Sequence, residues 1–133
     1  MSATIIAKKV TKLEFTELLK GEIEQDSQVN INIGSDIFAN SQNKKLFRIK
    51  YPVTLTIRDI IRVSIYYEFD FATDEEITPD ILDSDLVKIK APSLAYPYIK
   101  LYLENIIAIS GYPNVNIPFI DFYDTPLNLK PKK

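Results

Sequence analysis

The sequence contains no cysteine and no histidine, and only three glycines. Without cysteine there is no disulfide framework, no thiolate metal site and no nucleophilic thiol. Without histidine, the usual general base near neutral pH and the commonest zinc and haem ligand are missing as well. Gly21, Gly34 and Gly111 are too few and too scattered to build a loop that cradles phosphate. Paired carboxylates remain formally able to hydrolyse glycosides, but no pattern of an enclosed pocket surrounds them to shift their pKa values. The absences argue against an enzyme and predict no cofactor and no metal.

Other absences bear on location and partners. Residues Met1 to Lys12 carry Lys8 and Lys9 inside an alternating pattern, without the continuous apolar run or small-residue cleavage site of a signal peptide. Nowhere do about 18 apolar residues run together, so no membrane-spanning segment is predicted. The lack of cysteine agrees with a reducing compartment, and the cytoplasm is the default expectation. Net charge is −2 with both signs scattered, which argues against a nucleic-acid binder with a basic face. Lys44, Lys45, Arg48, Lys50, Arg58 and Arg62 read as solvated faces of strands. At 133 residues the chain is long enough for one self-sufficient core and too short for two.

What is present is alternation. Ile61, Val63, Ile65, Tyr67, Phe69 and Phe71 fall on one face of an extended run, with Arg62, Ser64, Tyr66, Glu68 and Asp70 on the other. Period two sustained over that length predicts a half-buried antiparallel strand. Phe47 to Ile57 alternates in the same way, and only Arg58 to Ile60 separates the two runs, so they form a hairpin. Pro52 cannot donate to a ladder, which predicts an edge segment or a bulge at that point. Gln28 to Ile33 is a further strand that could continue to Phe38, before a turn at Asn40 to Asn43. Thr4 to Phe15 is a weaker strand whose apolar residues change face near Val10, as a bulge would produce. Phe15 to Lys20 could instead be a short helical turn. Four antiparallel strands result, each with one apolar face.

Thr73 to Asp85 is an acidic connector, read either as a solvated crossover or as a docking site for a basic partner or a cation. Its spacing does not fit a calcium loop. A helix follows over Ser93 to Ser110, with Pro92 at a first-turn position and Gly111–Pro113 as a stop signal. Pro97 should start or kink it. Strands followed by a helix predict an α+β fold: a four-stranded antiparallel sheet with one long helix packed on it.

That helix is unusual. Leu94, Ile99, Leu101, Tyr102, Leu103, Ile106, Ile107 and Ile109 surround nearly its whole circumference, and only Lys100, Glu104 and Asn105 interrupt the ring. A helix lying on an open sheet needs a single apolar stripe. One that is apolar on both sides requires a second cover, either another copy of the chain or a client polypeptide. A homo-oligomer, dimer or tetramer, is the economical answer, with Leu101, Tyr102, Asn105 and Ile109 as interface candidates. Beyond Gly111, Asn114 to Tyr123 reads as extended and aromatic, and Asp124 to Lys133 as a polar, frayed tail.

Three pieces of this region carry a family resemblance. Pro97, Tyr98 and Lys100 lie at the start of the long helix; Gly111, Tyr112 and Pro113 form a turn; Asn116, Pro118, Asp121 and Phe122 lie in an extended segment. Together, and with the order of elements, they resemble the SecB export chaperones, strongly over residues 91–122 and loosely before. The resemblance implies a SecB-like domain over residues 1–124 with a basic polar tail over 125–133. It also implies a holdase that keeps newly made proteins unfolded before export, without ATP or metal. The family's tetramer, a dimer of dimers with long helices between two sheets, matches the double-faced helix. Two departures stand out. The family's second, C-terminal helix is missing here, and the basic tail differs from the end that docks on the translocation ATPase.

On this reading the client-binding candidates are Tyr96, Tyr98, Tyr112, Phe119, Ile120 and Phe122. Tyrosine offers an apolar body with a polar tip, suited to adaptable binding. Ordinary packing competes with each assignment: Phe119, Ile120 and Phe122 could cover the sheet in place of the missing helix, and the tyrosines could line a dimer interface. The alternative function is an adaptor or scaffold of SecB-type fold that binds one specific folded protein.

Overall fold

The computed structural model describes residues 2–18 and 29–127. In chain order these form β1 (Ala3–Glu17), β2 (Val29–Ile33), β3 (Asp36–Ala39), β4 (Leu46–Ile57) and β5 (Ile61–Thr73). A 3-10 turn (Pro79–Asp83), a wide π-type turn (Leu86–Lys90) and helix α1 (Ala91–Ile109) follow. The strands make one antiparallel sheet in the order β1-β5-β4-β2, with β3 also paired to β4. Helix and sheet form two layers, an α+β arrangement.

The alternation in the sequence is obeyed residue by residue. Every second side chain of β4 and β5 is buried beneath the helix, from Phe47 to Ile57 and from Ile61 to Thr73. Cross-strand aromatics knit this face, with Phe47 stacked on Phe71 at 5.2 Å and Tyr51 edge-on to Phe69 at 5.8 Å. The hairpin turns at Arg58–Ile60, where Asp59 adopts φ 61°, a left-handed conformation that a short polar side chain tolerates.

Pro52 affects the sheet differently from the sequence expectation. β4 is a central strand and runs unbroken through the proline; its neighbour breaks instead. The Pro52 carbonyl accepts the Gly34 N–H at 2.9 Å. In a strand a residue's N–H and C=O point to the same side, so the missing donor faces that neighbour. The pairing partner therefore leaves the ladder at Gly34–Ser35 and resumes as β3, splitting the expected fourth strand in two.

β1 keeps pace with β5 by two register shifts, between Ile5 and Ala7 and between Val10 and Lys12. The second lies where the apolar pattern changes face. The strand continues through Phe15 to Glu17, so a helical turn does not begin at Phe15; positions 19 and 20 lie outside the described residues.

The helical region also begins earlier than proline placement suggests. Five residues of wide turn precede α1, and the Ala91 N–H reaches back to the Leu86 carbonyl. Pro92 has no N–H and its ring crowds the carbonyl four residues back, so a widened turn before it relieves the conflict. α1 then lays one i, i+4 row on the sheet: Ala91, Ala95, Ile99, Leu103 and Ile107, all buried. Gly111, at φ 94°, ends it in a Schellman motif, with Tyr112 N–H on the Ile107 carbonyl and Gly111 N–H on that of Ala108.

Candidate functional site

Among the described residues after Gly111 there is no second helix. The chain instead runs back antiparallel along α1, without regular structure to Asp121 and then through a turn over 122–125, and three polar contacts hold it there. Glu104 Oε2 accepts the Ile117 N–H at 2.9 Å, Tyr96 Oη donates to the Pro118 carbonyl at 2.6 Å, and the Leu127 N–H donates to the Lys88 carbonyl at 2.8 Å. The last acceptor is available because Pro92, four residues on, has no N–H to offer it. Ile117 and Phe122 are buried along this strap, and Phe122 meets the Tyr96 ring edge-on at 5.8 Å.

Between the strap and the first half of α1 lies a cleft of about 270 Å³, lined by Tyr96, Pro97, Lys100, Phe119, Ile120, Phe122 and Tyr123 among others. Its walls are apolar almost throughout. Burial, together with the nearby Glu104 charge, pushes the Tyr96 hydroxyl up to about 12, so it stays a neutral donor. Lys100 is neutralised by Glu104 at 2.8 Å, an i, i+4 pair. Burial works to raise the Glu104 pKa, but the bonds from Lys100 and the Ile117 amide outweigh it and hold the carboxyl below its usual range. The cleft thus offers shape and apolar surface, with Lys100 paired to Glu104 and the Asp121 carboxylate, which accepts the Tyr123 N–H at 3.0 Å, as the other charged group in its lining. That chemistry suits adsorption of side chains.

Four of the six sequence candidates, Tyr96, Phe119, Ile120 and Phe122, meet in this cleft. Their roles differ: Tyr96 and Phe122 build the buried wall, Ile120 is half-buried, and Phe119 stands 79% exposed at the mouth. The other two lie elsewhere. Tyr98 sits over β1, with the Lys8 ammonium 4.7 Å from its ring, and Tyr112 stacks on Phe15 at 6.1 Å. Sequence reasoning did not name Tyr123 as a site residue, and it used Lys100 as part of the resemblance and Glu104 and Lys100 as breaks in the apolar ring, without assigning either a role in the site. Their four-residue spacing signals an ion pair, but nothing local reveals that Glu104 also caps a backbone amide thirteen residues away.

The opposite face of α1 is a second apolar surface. Leu94, Tyr98, Leu101, Asn105 and Ile109 follow one another at intervals of four and three along it; Leu101 is 57% and Ile109 81% exposed. Leu101, Asn105 and Ile109 thus lie together on the uncovered face. Tyr102 does not: it is half-buried, edge-on to Tyr67 on β5 at 5.8 Å.

The open face of the sheet has a different character. A larger depression of about 390 Å³ near Phe38 and Ile6 has Arg48, Lys50, Glu68 and Asp70 among its lining. Arg48 forks onto Asp70 at 2.7 and 3.2 Å and reaches Glu68 at 3.3 Å, while Lys50 lies over the Tyr66 ring. These charges satisfy one another, as expected of a solvated sheet face. Among the described residues no helix is long and apolar enough to cross a membrane, and no three or more carboxylates are grouped to hold a metal ion.

No family model matches the chain. A protein-export protein SecB from Herminiimonas arsenicoxydans is 29% identical over 102 residues, 75% of this chain. The match spans 62% of the length of that relative, under two-thirds of it. Among solved structures, the SecB-like chaperone of Mycobacterium tuberculosis, in complex with a ChAD peptide from the HigA1 antitoxin, aligns with a TM-score of 0.69 at 13% identity, covering 90% of this chain and 88% of that one. A protein of unknown function from Streptococcus agalactiae aligns with a TM-score of 0.54 at 16% identity, covering 90% and 98% respectively. The structural likenesses establish the fold and the sequence match agrees with it: this chain has a SecB-like fold and a distant likeness in sequence to a SecB export protein.

Proposed function

We propose that the chain is a holdase: it binds unfolded or partly folded polypeptides through the apolar cleft between α1 and the strap, with no nucleotide and no chemical step. The cleft carries this reading. A space of about 270 Å³ is at or below the small end of pockets for small molecules, but it accepts a side chain or two of an extended polypeptide. Its lining of tyrosine, phenylalanine and isoleucine grips by area, which tolerates varied client sequences. Tyr96, Phe119, Ile120 and Phe122 form the contact surface in this proposal, while Tyr98 and Tyr112 serve a neighbouring region beside β1. A second copy covers the outer stripe of α1 through Leu101, Asn105 and Ile109, with Tyr102 supporting it from beneath. The compartment proposed is the cytoplasm. The test is light scattering from a chemically unfolded model protein as it aggregates; no suppression at molar excess of this chain would end the holdase reading.

A second reading has its own support. The fold resembles a SecB-like chaperone that was solved with a peptide from an antitoxin, which supports an adaptor or scaffold dedicated to one specific protein partner. Purification from its native cells separates the two. A single stoichiometric partner favours the adaptor, and a heterogeneous set of unfolded chains favours the holdase.

A further inference from the structure

Resting on the polypeptide-binding reading, we propose that Glu104 is the positioning residue that sets the outer wall of the cleft. Glu104 does not itself line the cleft; it works through two groups that determine the cleft's shape. One is the Ile117 amide, which it accepts at 2.9 Å, and the other is the lining residue Lys100, which it holds at 2.8 Å through the same oxygen.

The strap explains why one carboxylate matters so much. Residues 117–121 have no regular secondary structure; a turn over 122–125 fixes the far end, its Asp124 and Thr125 N–H groups donating to the Asp121 carbonyl, but no strand or helical turn holds 117–120. Phe119 and Ile120 bridge two anchors: Ile117 and Pro118 on one side, and buried Phe122 on the other. Phe119, mostly exposed, has no burial of its own to hold it in place. Releasing the first anchor turns a wall into an arm fixed at one end. The anchor is strong for its size, because an amide donating to a carboxylate makes a charge-assisted bond at a buried residue. Tyr96 reinforces it one residue later by holding the Pro118 carbonyl. Glutamine keeps a carbonyl oxygen for the Ile117 amide and loses only the charge, so it separates anchoring from electrostatics.

The experiment compares Glu104→Ala, Glu104→Gln and Tyr96→Phe in the full chain at a temperature where all are folded. Binding is measured by fluorescence anisotropy with reduced, alkylated α-lactalbumin as the unfolded probe, and amide exchange is followed by mass spectrometry. Losing one charge-assisted bond should weaken binding by about ten-fold in Glu104→Ala, with Glu104→Gln recovering to within about three-fold. Exchange over residues 117–122 should quicken in Glu104→Ala while β4 and β5 stay protected. Wild-type affinity in Glu104→Ala, or unchanged strap exchange, overturns the proposal. Should Glu104→Ala fail to fold, Tyr96→Phe decides: weaker binding with a freed strap supports the proposal, and neither change overturns it. If the wild-type chain does not bind the probe, the holdase reading falls, while strap exchange still tests Glu104 by itself.

Discussion

Leu101 and Leu103 are the same residue two positions apart on one helix, and the structure assigns them opposite roles. Leu103 is fully buried against the sheet, whereas Leu101 is 57% exposed on the outer stripe. Leu103→Ala removes methyl groups from a packed core and leaves a cavity, so it should cost about 3–5 kcal/mol of folding stability. Leu101→Ala gives up only the minority of its surface that one chain covers, about 1 kcal/mol at most. Its larger effect belongs to association. Burying the remainder of a leucine against a second copy contributes about 1–1.5 kcal/mol per side chain, counted twice in a two-fold interface. The dissociation constant should therefore rise roughly 30- to 140-fold. Urea denaturation at a concentration low enough to keep the protein monomeric measures the first quantity, and sedimentation equilibrium measures the second. If Leu101→Ala costs as much as Leu103→Ala in the monomer, the outer stripe is covered within one chain and the reasoning from exposure is wrong. If the wild type is a monomer at every accessible concentration, the second-copy proposal fails with it.

Three further outcomes follow from individual contacts. The Tyr51 hydroxyl is fully buried and makes no hydrogen bond among the described residues, so Tyr51→Phe should leave stability unchanged or raise it by about 1 kcal/mol in urea melts. A clear loss would reveal a polar partner for it. Pro92→Ala restores an N–H that can compete for the Lys88 carbonyl, and the Leu127 amide should then exchange faster; unchanged protection would mean that carbonyl accepts both donors. The Glu104 carboxyl is held below its usual range in the folded chain, so its contribution is fully present above the ordinary glutamate pKa and is lost as pH falls through the lower folded value. Strap protection should accordingly decline in acid below about pH 4 in the wild type. Glu104→Gln should lack that step, and an identical acid profile in both would assign the loss to another group.

Several features could be read directly from residue order, because neighbours along the chain enforce them. Strict alternation over Phe47–Ile57 and Ile61–Phe71 admits only one buried face, and the three residues between them leave room only for a hairpin. The change of face at Val10 marked a bulge for the same reason, and Gly111 followed by Pro113 marked the helix end. The double apolar circumference of α1 was equally visible, since it depends only on which residues lie a turn apart.

Tertiary structure decided what depends on distant partners. Proline at 52 interrupts the neighbouring strand and not its own, because the side its missing N–H faces is set by which strand lies there. The wide turn before Pro92 leaves the Lys88 carbonyl for Leu127, a meeting of residues far apart in sequence. Tyr102 turned toward Tyr67 while Leu101, its immediate neighbour, turned outward, and only the seating of the helix on the sheet separates those two fates. The cleft itself belongs to this second class. Local sequence specifies aromatic residues near 119–122, but a wall made of extended chain has no period of its own. Its place is set by a carboxylate and a tyrosine hydroxyl on the helix it lies along and by a freed carbonyl in the wide turn before that helix.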